Sequence, residues 1–78
     1  MPKRKIKLLD VVALVEDIPA HKLRRGEVGT VVDIFSDGAL EVEFSDEDGQ
    51  TYAELALEPS QIVLLHKQGK TLKLSDAA

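Results

Sequence analysis

Ser36-Asp37-Gly38-Ala39-Leu40-Glu41-Val42-Glu43-Phe44 is the stretch whose reading decides the fold. Leu40, Val42 and Phe44 fall on one side of an extended chain, and Glu41 and Glu43 fall on the other. A period of two with charge on one side describes a strand half in a core and half in water. Asp37-Gly38 precedes it and follows another β-patterned run, Gly26 to Phe35. Asp-Gly in that place predicts a hairpin with a type I′ turn, which needs φ > 0 at both central residues.

Working outward, Asp46-Glu47-Asp48-Gly49 predicts a second turn. The segment Thr51 to Glu58 then alternates again, with Ala53, Leu55 and Leu57 on one face and Tyr52, Glu54 and Glu58 on the other. Ala, Glu and Leu are also good helix formers. The clean alternation and the tight turn before the segment favour a strand. Pro59-Ser60-Gln61 breaks it as a single 3-10 turn, and Ile62-Val63-Leu64-Leu65 is a short last strand. Upstream, Val11 to Val15 is a β-branched apolar run between acids, the mark of a buried strand. Ile18 to Arg25 contains Pro19 and is expected to be a long loop, with Leu23 plugging the core edge. Gly26 and Gly29, three apart at the start of the second strand, fit a strongly curved chain.

Five short antiparallel strands with this turn order predict an all-β fold, a small SH3-like barrel. The expected organisation is a basic N-terminal arm over 1–7, the barrel over 8–66, and a C-terminal tail or extra edge strand over 67–78, where Leu72 and Leu74 alternate with lysines. A chain of 78 residues holds one small domain. Such a domain buries only about 60–65% of its unfolded surface, so most apolar side chains go to the core and few are left to line a deep cavity.

The runs Leu9-Asp10-Val11-Val12-Ala13-Leu14, Asp17-Ile18-Pro19, Arg25-Gly26-Glu27-Val28-Gly29-Thr30-Val31-Val32, Glu41-Val42-Glu43-Phe44 and Asp48-Gly49-Gln50-Thr51-Tyr52-Ala53 together resemble an uncharacterised family of short bacterial proteins. The family is known only as a domain of unknown function and is thought to be SH3-like. The resemblance covers about residues 8–66 and implies fold and bacterial origin. It carries no activity or site residues. Gly26-Glu27-Val28-Gly29-Thr30-Val31 is also similar to the glycine-valine start of KOW and CAP-Gly modules. The CAP-Gly groove motif (Gly-Lys-Asn-Asp-Gly) is missing, so that tail-binding role is not implied.

Charge is segregated along the chain. From Gly26 through Leu65 there are ten acids and no Lys or Arg, whereas Met1 to Arg25 holds seven basic residues against three acids. The last thirteen residues hold three lysines and one aspartate. An acidic body repels phosphates, and the basic stretches Lys3-Arg4-Lys5 and Lys22-Leu23-Arg24-Arg25 lack interleaved aromatics, so nucleic acid is not the expected main partner. Like charge on one face usually serves solubility. It becomes a partner site when something basic is complementary.

Chemistry is sparse. With no cysteine, disulfides, thiolate metal sites and thiol nucleophiles are excluded. His21 and His66 are the only imidazoles, and a histidine metal or proton-transfer site is not expected from them. Asp46-Glu47-Asp48-Gly49 lacks the spacing and closing Glu of a calcium loop. The glutamates of a shallow face lack the desolvation that acid-base catalysis requires. The serines lie in turn or tail contexts without a nucleophile elbow. Phe35, Phe44 and Tyr52 are too few to line a proline-peptide groove. No enzyme activity and no cofactor are expected. There is no apolar run of membrane-span length, and the first residues lack a signal peptide's apolar stretch, so no membrane association and a cytoplasmic location are expected.

The expectation is a non-catalytic protein-interaction module that binds a basic partner or self-associates as a homodimer. Its candidate surface is Tyr52 as an apolar anchor, Glu41, Glu43 and Glu54 setting charge preference, and Arg24 and Arg25 as a second patch. Alternatives are an RNA- or DNA-binding KOW-like accessory module and an antitoxin-like partner of a neighbouring gene product.

Overall fold

The computed structural model describes residues 6–66. The basic residues Lys3 to Lys5 and the tail strand expected around Leu72 and Leu74 lie outside the described residues. Five strands are present: β1 Val11–Leu14, β2 Val28–Ile34, β3 Leu40–Ser45, β4 Thr51–Leu57 and β5 Ile62–His66. They form one antiparallel sheet in the order β4-β3-β2-β1-β5. A 3-10 turn at Pro59–Gln61 precedes β5, as the proline break implies. The segment 51–57 is strand and not helix.

The core is the inner face of this sheet. Val12, Leu14, Val31, Leu40, Val42, Phe44, Leu57 and Ile62 form one cluster with Leu23 of the long loop. All five strands feed one cluster, so the sheet must curl around it. Three bulges help it bend, because an extra residue raises local twist. Val32 is extra in β2, Tyr52 in β4 and Leu65 in β5. The curl stops short of closure: among the described residues β4 and β5 each keep one unpaired edge, so the expected barrel is an open one.

Gly29 shows why the second strand needs a glycine. It pairs with both Val12 and Phe44, and a Cβ there would stand 2.6 Å from Val42 Cγ1 and 2.8 Å from the Glu43 carbonyl oxygen. No side chain fits at that distance without moving the β3 backbone.

The β2–β3 turn differs from the type I′ expectation. Gly38 has φ 95°, but Asp37 does not reach positive φ. The Gly38 N–H donates to Phe35 O at 3.0 Å, and the Phe35 N–H donates to Ala39 O at 2.9 Å. This is a type I turn followed by a left-handed glycine, which needs one positive φ instead of two. The β3–β4 turn repeats it: Gly49 (φ 82°) donates to Asp46 O at 3.0 Å, and Asp46 donates to Gln50 O at 2.9 Å. Asp46 Oδ1 also accepts the Asp48 and Gln50 N–H groups, both at 2.9 Å. That aspartate is an internal staple of its turn.

The long loop is more ordered than its composition suggests. Pro19–His21 forms a 3-10 turn, and Ile18 and Leu23 exchange backbone hydrogen bonds of 2.8 and 3.1 Å. Closing this small loop drives Leu23 inward, where only 2% of it is exposed.

Candidate protein-interaction surface

Directly paired residues share a face of the sheet, so the outer surface can be assembled row by row. One row runs Val11, Thr30, Glu43, Glu54 across β1 to β4. A neighbouring row runs Asp33, Glu41, Ala56. Glu41, Glu43 and Glu54 therefore meet on one face, joined by Asp33, which the sequence reading did not single out. Glu43 and Glu54 stand directly opposite, a like-charge pair that costs stability. Thr51 relieves part of it by donating its hydroxyl to Glu43 Oε2 at 2.7 Å. The Glu41 carboxyl is pushed above the usual range, first by partial loss of solvent, then by Glu54 and Asp33 beside it.

Toward the other edge the same outer face turns apolar. Val28, Ala13 and Val63 are a paired row across β2, β1 and β5. Val28 and Val63 are 45% and 48% exposed, and between them Ala13 is buried.

Tyr52 does not join the glutamates. Strict alternation would put it beside Glu54, but it is the extra residue of the β4 bulge, between Thr51 paired with Ser45 and Ala53 paired with Phe44. The bulge re-aims its ring toward the core aromatic Phe44, at a centroid distance of 6.4 Å. Its hydroxyl donates to Glu27 Oε1 at 2.7 Å. The other oxygen of Glu27 accepts the Arg24 N–H at 2.6 Å. Glu27 thus clamps the long loop to β4. These two hydrogen bonds hold its carboxyl below the usual range, that of Tyr52 contributing most. The Tyr52 phenol is pushed up to about 12, chiefly by the same bond.

Arg24 and Arg25 are exposed on that loop. Asp17 Oδ1 accepts the Arg25 N–H at 2.8 Å, so acids hold the backbone at both arginines. Beside them is a shallow open hollow of about 300 Å³ lined by Asp17, Pro19, Lys22, Leu23 and Arg24. The six candidate residues therefore divide in two. Glu41, Glu43 and Glu54 form an outer-face cluster, while Tyr52 and Arg24 meet at Glu27 and Arg25, next in the loop, is held by Asp17. Glu27 was missed because its role depends on a residue 25 positions away. The one local signal was a carboxylate three residues after Arg24, within reach of that residue's amide.

Among the described residues no group of three or more metal-ligating side chains converges, and no helix is long and apolar enough to cross a membrane. The fold and this face define a small all-β domain, a single open antiparallel sheet with a divided outer surface. The chain belongs to the family described as "Domain of unknown function (DUF4926)", whose model matches residues 8–64. No curated protein and no solved structure matches the chain.

Proposed function

We propose that this protein is a non-catalytic interaction module whose outer face over β2, β3 and β4 takes a basic protein segment. One observation carries the reading. Glu43 and Glu54 face each other directly while Glu41 crowds Glu54 and Asp33, and the chain supplies no Lys or Arg between Gly26 and Leu65 to neutralise them. Opposed carboxylates destabilise a sheet by a few tenths of a kcal/mol or more per pair. A cation arriving from outside is attracted to each of them and removes that cost. The carboxylates lie in adjacent rows across β2, β3 and β4, which suits an extended segment with lysines or arginines on one side. The loop arginines favour a nucleic-acid partner less, because Asp17 and Glu27 stand at their backbone and oppose phosphate.

The test is calorimetric titration of the full chain with a lysine-rich decapeptide, with a single-stranded oligonucleotide as a second arm. Peptide binding that weakens with salt, and that falls by about tenfold or more in the Glu43→Gln, Glu54→Gln double variant, is the expected result. Equal peptide affinity of parent and variant, or preference for the oligonucleotide, overturns the proposal.

A further inference from the structure

The chain holds two Asp-Gly pairs, Asp37-Gly38 and Asp48-Gly49, and no asparagine. Glycine after aspartate leaves the next amide nitrogen unshielded by any side chain. That nitrogen can attack Cγ of the protonated aspartyl carboxyl. An N–Cγ bond forms, the Cγ–OH bond breaks, and the hydroxyl departs with the amide proton as water. Water then opens the resulting succinimide ring at either carbonyl. Opening at the main-chain carbonyl leaves an isoaspartyl link, in which the backbone runs through the side-chain carbons. Solvent water is the only co-reactant, and the chain neither gains nor loses an atom.

The two pairs share one turn geometry, so each is a control for the other. Each glycine N–H donates at 3.0 Å to the carbonyl three residues back, Gly38 to Phe35 and Gly49 to Asp46. In both, attack waits for the turn to open. The carboxylates differ. Asp37 Oδ1 accepts the Ala39 N–H at 3.0 Å in a partly buried bond that fixes its side chain. The Asp48 carboxylate makes no hydrogen bond among the described residues, and only its backbone N–H is engaged, by Asp46. The opening differs too. Opening the first turn unseats Ala39 and Leu40, which are 9% and 4% exposed. Around the second turn every residue from Ser45 to Tyr52 is exposed, and the bonds to Asp46 Oδ1 face solvent. Segments with few buried contacts and exposed backbone hydrogen bonds open most readily.

We propose that Asp48-Gly49 is a site of isoaspartyl modification in the folded protein, and that the Asp37-Gly38 turn resists the same reaction. The product lengthens the main chain by a methylene between Asp46 and Gln50. The paired bonds from the Asp48 and Gln50 N–H groups to Asp46 Oδ1 then no longer fit together. Thr51, whose hydroxyl reaches Glu43, is displaced at the start of β4. The modification therefore loosens one border of the acidic face, but it follows from turn chemistry and does not depend on what that face binds.

The test incubates the full chain at neutral pH in heavy-oxygen water, folded and in urea, and then cleaves it after glutamate in ordinary water. That cleavage places the two aspartates on separate peptides. Each passage through the ring leaves a heavy oxygen on the residue, and the isoaspartyl form separates chromatographically. In the folded chain Asp48 is expected to take up label about tenfold faster than Asp37, and urea should bring the two rates together. Equal rates in the folded chain, faster labelling of Asp37, no labelling of Asp48, or a difference that persists in urea overturns the proposal.

Discussion

At the scale of single residues, Tyr52 shows how one inserted position changes a surface. Alternation along Thr51 to Leu57 was visible in the sequence, and it places Glu54 correctly on the outer face. The bulge was not visible, because a period of two cannot show which residue the partner strand skips. As a result Tyr52 belongs with Glu27 and Phe44 instead of with the glutamates. Its bond makes a pH prediction. Tyr52 is the chain's only tyrosine, so ultraviolet titration follows it alone. Its phenol should ionise at about 12 in the folded protein, against an ordinary value near 10, and Glu27→Gln should bring it down. The folded state holds the phenolic proton more tightly than the unfolded chain. The stabilisation is therefore complete below about pH 10 and is lost as pH climbs toward 12. A titration unchanged by Glu27→Gln would remove the clamp from the account.

At the scale of strands and turns, the sequence was most informative where pairing is local. β3 and the 3-10 turn at Pro59–Gln61 follow directly from alternation and from proline. The two Asp-Gly turns were legible as turns, but their type was not, since Asp-Gly suits both a two-residue turn and a type I turn closed by a left-handed glycine. The candidate face was half legible. Glu41 and Glu43 announced it, but Asp33 joins only through the bulge at Val32, which brings it opposite Glu41. The like-charge pair of β3 and β4 then separates stability from binding. Glu54→Lys places a cation opposite Glu43 and should stabilise the fold by about 0.2–1 kcal/mol in denaturant titration. The same change should lower affinity for a basic peptide. A variant that binds the peptide as well as the parent would show that this pair does not set the preference.

At the scale of the whole molecule, the strand order places two kinds of connection in one sheet. Strand count and charge segregation were readable along the chain, but the pairing of β1 with β5 was not, because the two meet across about fifty residues of sequence. β2, β3 and β4 are instead joined by the two compact glycine turns. Bringing distant segments together costs more chain entropy than closing a short turn. The β2–β3–β4 meander should therefore assemble before the ends of the chain are joined. In stopped-flow kinetics, Val42→Ala on β3 should mainly slow folding, whereas Ile62→Val on β5 should mainly hasten unfolding. The opposite partition would show that the ends meet first. On this order, the β1–β5 seam is the last part of the sheet to form and the first to come apart, so transient opening of the native protein should begin there and leave the glutamate-bearing meander intact.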